Sequence, residues 1–145
     1  VEKYREAGIN WWDYCGSILV NSYPTYFEKL PPLLARINSE RRSSKNYVLF
    51  LGATEAESNQ APCLSLVQFQ IEDSELVITA YQRSSDANLG LPADIYHLYL
   101  MARHIDFPLK SITLFLGNVH IYENNLDSTR RLLAGEDAVK FELNV

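Results

Sequence analysis

Six side chains between residues 63 and 122 have the types and positions to do chemistry: Cys63, Arg83, Asp86, Asp94, His120 and Tyr122. Cys63 heads a β-rich run, and a thiolate there would be a nucleophile. A cysteine so placed is more often a small buried apolar residue than a nucleophile. Arg83 closes a second β-rich run, where an arginine is more often a solvated or ion-paired surface group. Asp86 lies among turn formers, where a carboxylate commonly closes a turn or caps a helix. Asp94 stands near a helix start, where a negative charge complements the macrodipole. His120 and Tyr122 are two apart in a β-rich stretch, so they share one face.

The elements that must position these groups can be read from periodicity. Residues 2–8 have helix-forming composition, with Gly8 as a stop. An aromatic cluster (Trp11, Trp12, Tyr14) follows. Tyr26, Leu30, Leu33, Leu34 and Ile37 recur at helical spacing, and Pro31-Pro32 either restart or kink that helix. Residues 39–46 form a polar, basic connection. Strands are expected over 47–52, 63–72 and 75–82, with a turn at Glu72-Asp73-Ser74. Pro92 to His104 reads as a helix with Ile95, Leu98, Tyr99 and Ala102 on one face. Residues 111–122 form a long β-rich segment in which Gly117 marks a bulge. Ser128 to Ala134 is a short helix closed by Gly135, and 139–145 alternate as a last strand. Five or so strands with three or four helices make one α+β domain over 1–145.

Composition sets outer bounds. A chain of 145 residues, 47% apolar and carrying a net charge of −5, builds a real core and is not intrinsically disordered. The acidic balance argues against nucleic-acid binding by bulk charge. No apolar run is long enough to span a membrane. The charged start of the chain gives the expectation of no secretory leader and a cytoplasmic setting. Two cysteines make no disulfide framework, and no zinc spacing occurs. The absent initiator Met suggests an excerpt of a longer chain.

Four segments occur in order: Ala61-Pro62-Cys63, Gln68-Phe69, QRSSDANLGLPADI at 82–95 and GNVHIYENN at 117–125. Together they resemble thymidylate synthase and its relatives, the pyrimidine-nucleotide C5 methyltransferases and hydroxymethyltransferases. The resemblance is close over 46–126 and weaker upstream, at REAGINWWD. It implies that Cys63 is the nucleophile that adds to C6 of the pyrimidine, with Arg83 beside both thiol and phosphate. It implies that Gln82 and Ser84 line the nucleotide site, and that His120 and Tyr122 hold the sugar hydroxyl. Asp86 matches the carboxylate that holds the pterin ring; Leu89, Gly90 and Trp12 match other parts of the folate site. The implied co-substrate is 5,10-methylenetetrahydrofolate or a related pterin, with no metal.

The departures carry information too. Position 94 is aspartate where the family reads the base with asparagine. Asparagine donates to uracil O4 and accepts from N3–H. Cytosine reverses both edges: a carboxylate accepts from N4, and a proton shared with N3 completes the pair. That exchange distinguishes the family's deoxycytidylate hydroxymethylases, so a cytidylate is favoured over a uridylate and hydroxymethyl over methyl transfer. Leu64 stands where histidine is usual, Ala93 for phenylalanine, Asn118 for aspartate and Asn125 for histidine. Lys45 and Asn46 stand where a dimer mate would lend two arginines to the phosphate; Lys45 keeps one charge without the bidentate fork. Arg41 and Arg42, slightly upstream, either substitute for that pair or form a solvated turn, and the turn is favoured. No residue matches the family's N-terminal phosphate-binding arginine loop, its proton-relaying glutamate or its C-terminal tail.

The implied architecture is the thymidylate synthase α+β fold. It has a mixed, twisted sheet with helices on one face and a second copy packed on the other, in a homodimer. The rival reading is a non-catalytic nucleotide-binding or dimerisation domain of the same descent.

Overall fold

In the computed structural model, which describes residues 28–51, 62–88 and 90–136, Pro31 and Pro32 occupy the first turn of α1 (Leu30–Glu40). There a missing N–H costs nothing and the fixed φ suits the helix. The helix therefore starts at the prolines instead of kinking at them. It ends at Arg41, which turns left-handed (φ 44°) and donates its N–H to Ile37 O. Glu40 then holds the corner: it accepts the hydroxyl of buried Tyr47 at 2.8 Å and pairs with Arg36 and Arg42. Those three partners hold its carboxyl well below the usual range, at about 2, with the Arg36 hydrogen bond the largest cause.

β1 (Val48–Phe50), β2 (Leu64–Glu72), β3 (Glu75–Gln82) and β5 (Leu109–Leu116) form one sheet in the order β1-β2-β3-β5. The first two pairings are antiparallel and β3–β5 is parallel, so the sheet is mixed. β2 and β3 join through a two-residue turn in which Asp73 and Ser74 both have positive φ, the hairpin geometry that matches strand twist. The parallel pairing requires a crossover. α2 (Gly90–Ala102) lies on it, after β4 (Ser85–Asp86), and β6 (Val119–His120) pairs with β4 in a small second sheet.

Alternation decides the two faces. Leu49, Val67, Phe69, Ile71, Leu76, Ile78 and Ala80 are buried in one cluster with Leu34 and Ile37 of α1 and Leu98, Met101 and Ala102 of α2. Both helices thus cover the same face. Asn38 ties them: its amide donates to His104 O, and its carbonyl oxygen accepts the Asp106 N–H. On the opposite face the register aligns Phe50, Leu66, Tyr81 and Phe115 in one row across four strands. Phe50, Tyr81 and Phe115 remain 64%, 45% and 58% exposed.

Several expectations need correction. Ile95 is exposed, and the buried face of α2 is Ala93, Leu98, Met101 and Ala102. That helix begins at Gly90 and stops at Ala102, two residues earlier at each end than predicted. The segment 111–122 is not one bulged strand: β5 ends at Leu116, β6 holds only two residues, and Tyr122 lies beyond it. A 3-10 turn (Glu123–Asn125) then leads into α3 (Leu126–Leu133), which starts two residues before the predicted helix. The expected first helix, Trp12 and the other aromatics near it, Leu89 and the last strand lie outside the described residues. Among the described residues, no helix is long and apolar enough to cross a membrane.

Candidate functional site

The site is built where β2 begins and β3 and β5 end. Leu64 pairs with Gln82, but Leu66 pairs with Tyr81, so Ser65 is an extra residue in β2. Such a bulge bends the strand and redirects its neighbours. Here it leaves Leu64 and Gln82 buried together and sets Cys63 beside Arg83, whose N–H donates to Cys63 O at 2.9 Å. Gly117 N donates to Gln82 O at 2.8 Å. A Cβ at Gly117 would lie 2.7 Å from Tyr81 Oη and 3.0 Å from Arg83 O, so this close approach requires glycine. From there β4 and β6 continue side by side: Ser85 N donates to Asn118 O, Ala87 N to His120 O, and Asp86 pairs with His120.

Electrostatics join α2 to these strand ends. Asp94, in the second turn of α2, accepts a hydrogen bond from the Gln82 side-chain amide at 2.5 Å. Burial raises its carboxyl to about 6, against the lowering effect of that bond. Cys63 is half-buried. Burial pushes its thiol up, the Arg83 charge pulls it down, and the Asp94 charge pushes it up again, with a net rise. Sulfur, guanidinium and carboxyl therefore share one electrostatic environment.

Two buried polar atoms have no partner among the described residues: Gln82 Oε1 and Ser85 Oγ. Both lie in the 82–86 segment that carries Arg83 and Asp86, and orphaned buried atoms of this kind are satisfied by water or by a polar ligand. His120 Nδ1 lies 3.4 Å from Ser84 Oγ and 3.3 Å from Asn118 Oδ1, and its ring meets Tyr122 edge-on at 4.9 Å. The expected pair forms, although Tyr122 has left the strand. One oxygen of Asp86 accepts the Asn88 N–H, an ordinary Asx turn, and the other has no partner among the described residues. A Cβ on Gly90 would lie 3.4 Å from Asp86 Cβ, which places the start of α2 against that carboxylate.

Cys63, Gln82, Arg83, Ser84, Asp86, Gly90, Asp94, His120 and Tyr122 thus come together, and Lys45 does not. β1 runs antiparallel to β2 with Val48 opposite Gln68. Lys45 therefore lies near the Ile71 end of β2, roughly 25 Å from Cys63 at ~3.3 Å per residue. Its carbonyl accepts the Gln68 amide. Arg42 pairs with Glu40, and Arg41 lies over Phe107 and 3.9 Å from Asp106, but both side chains stay more than half exposed, so this is the expected solvated turn. An apolar cleft between α1 and α2, lined by Leu30, His97, Leu100, Met101 and His104, shares no residue with the site. Sequence reasoning missed Ser85, Asn88 and Ser128. The Asn88 amide donates to Ser128 Oγ, and no spacing rule connects residues forty positions apart.

The thymidylate synthase family model matches residues 5–145. A thymidylate synthase of Staphylococcus haemolyticus is 28% identical over 142 residues, covering 92% of this chain and 43% of that protein. A thymidylate synthase of Mycoplasma pneumoniae is 41% identical over 73 residues, covering 48% of this chain and 25% of that protein. The chain spans less than half the length of these curated relatives. A family match over nearly the whole chain, on a mixed α+β fold, carries one conclusion: this chain belongs to the thymidylate synthase family.

Proposed function

We propose that this chain takes part in folate-dependent one-carbon transfer to C5 of a pyrimidine nucleoside 5′-monophosphate, with a cytidylate preferred and hydroxymethyl transfer favoured over methyl transfer. The observation that carries the reading is the convergence of Cys63, Arg83 and the Gln82–Asp94 pair at the strand ends. In this reading the Cys63 sulfur adds to C6, and C5 becomes electron-rich enough to attack the one-carbon unit. The C5 proton leaves as the bond from the transferred carbon to the folate nitrogen breaks and releases tetrahydrofolate; water adds to the exocyclic methylene to give the hydroxymethyl group, and the sulfur is expelled as C5–C6 unsaturation returns. Arg83 stabilises the thiolate and contacts the phosphate. Gln82 and Ser84 line the nucleotide, and His120 with Tyr122 takes the sugar hydroxyl.

Asp94 supports the choice of base. A carboxyl raised to about 6 holds a proton for part of the time near neutrality. Its neutral form presents one donor and one acceptor, which matches N3 and N4–H of cytosine. Asp86, with one oxygen still open, is the anchor for the pterin of 5,10-methylenetetrahydrofolate. Gly90 lies beside it, and Leu89 and Trp12 complete the proposed folate wall.

We also propose a homodimer formed through the exposed row Phe50, Leu66, Tyr81 and Phe115. Four aligned apolar side chains on a solvent-facing sheet suit a second sheet better than water. Lys45, distant from its own Cys63, would then serve the mate's phosphate site.

One observation favours the rival, a nucleotide-binding or dimerisation domain without turnover. The net upward push on the Cys63 thiol leaves little thiolate in the unliganded protein. Incubation with C5-tritiated dCMP, CMP and dUMP plus methylenetetrahydrofolate separates the two. Tritium release from the cytidylates, lost in Cys63→Ala, supports transfer. Normal nucleotide binding by calorimetry in both proteins, with no release, establishes the binding domain. A result of neither binding nor release refutes the transferase and the nucleotide-binding domain and leaves only a structural, dimerising role.

A further inference from the structure

We propose that Asn88 and Ser128 form a brace that positions the Asp86 carboxylate and so sets the affinity of the site for a pterin. The inference rests on the functional reading above, and neither residue belongs to the four motifs' proposed contacts.

The argument is a chain of hydrogen bonds. The main chain of Asp86 is fixed by the pairing of β4 with β6, where Ala87 N donates to His120 O at 2.9 Å. Its carboxylate is fixed separately, because Oδ1 accepts the Asn88 N–H at 3.1 Å. The orientation of that carboxylate therefore depends on where Asn88 sits. Asn88 is held by its amide, which donates to Ser128 Oγ at 3.0 Å. Ser128 in turn donates to Asn125 O at 2.9 Å, so its hydroxyl is used both as donor and as acceptor. Thr129 Oγ1 donates to the same carbonyl at 2.7 Å and helps fix the first turn of α3. Two bonds thus run from α3 to the acid, Ser128 to Asn88 and Asn88 to Asp86, and two more anchor the start of α3.

This placement suits positioning better than stability. Ser128 is exposed and α3 buries none of its residues, so the bonds seal no core. A bond of this kind contributes little to folding. A carboxylate that must meet a ligand within a few tenths of an ångström gains much more from being held.

The test is calorimetry with tetrahydrofolate in the presence of dCMP, on the wild-type chain, Ser128→Ala, Asn88→Ala, the double variant and Ser128→Thr. Each alanine variant is expected to lose about tenfold in pterin affinity while dCMP affinity and the thermal midpoint stay unchanged. The double variant should lose no more than either single one, because both break one brace. Ser128→Thr, which keeps the hydroxyl, should recover the wild-type value. Amide hydrogen exchange at Asn88 should quicken in Ser128→Ala. Full pterin affinity in Ser128→Ala overturns this inference alone. So does a loss shared equally by dCMP and the thermal midpoint, or single-variant losses that add in the double. Absence of pterin affinity in the wild-type chain overturns the functional reading and the inference with it.

Discussion

Replacing Asp94 by asparagine should stabilise this protein at neutral pH and not in acid. Burial raises the Asp94 carboxyl from an ordinary 3.8 to about 6. The folded chain therefore holds this proton more tightly than the unfolded chain. Between these two values the folded state binds more protons, so stability falls as pH rises through the window and stays reduced above it. The gap corresponds to roughly 3 kcal/mol at pH 7.5, at 1.36 kcal/mol per pH unit. That is a large part of the ~5–15 kcal/mol that holds a domain folded. Asparagine has the same shape, carries no charge and can still accept the Gln82 amide through its carbonyl oxygen. Urea unfolding of both proteins at pH 4 and pH 7.5 measures the difference. The variant should gain about 2–3 kcal/mol at pH 7.5 and little at pH 4. An equal difference at both pH values, or a less stable variant at pH 7.5, would refute the linkage. The same variant restores the base-reading residue usual in the family, so the proposed preference for dCMP should give way to dUMP, and an unchanged dCMP:dUMP affinity ratio by calorimetry would count against Asp94 as the base reader.

Phe115→Lys places a charge in the middle of the exposed apolar row. If the proposed dimer forms through this row, sedimentation should show it in the wild-type chain and a monomer in the variant, and an undiminished dimer in the variant would rule that face out. Gly117→Ala forces a methyl against Arg83 O and Tyr81 Oη. It should cost ~1–3 kcal/mol in chemical denaturation and weaken nucleotide binding through displacement of Arg83; wild-type values for both would show that the strand end yields freely. Glu40, held at about 2, contributes stability above its ordinary 4.5 that is lost as pH falls toward 2. Glu40→Gln should flatten that part of the acid-unfolding curve, read by circular dichroism, and an unchanged curve would count against the Arg36–Tyr47–Glu40 corner.

Much of the site was legible because its chemistry is local in sequence. Residues 82–95 bring Gln82, Arg83, Ser84, Asp86, Gly90 and Asp94 within fourteen positions, and their order resembles one family closely enough to name it. Alternation likewise placed β2 and β3, and the prolines placed α1. What could not be read were effects that depend on a partner far along the chain. The Ser65 bulge exists only because β2 must pair with β3, and β4 is too short to carry a pattern. Ile95 looked like a core residue from spacing alone, yet the direction in which α2 meets the sheet turned Ala93 and Met101 inward instead.

The amino-acid order alone determined the family and which thiol and which carboxyl stand at the candidate site, since side-chain chemistry is fixed residue by residue. Tertiary structure decided their state. Burial and Gln82 set the charge of Asp94, and Arg83 and Asp94 pull the Cys63 thiol in opposite directions. It also separated Lys45 from its own site and linked Asn88 to Ser128. Desolvation and Coulomb forces depend on distance in space, and only the folded chain defines that distance.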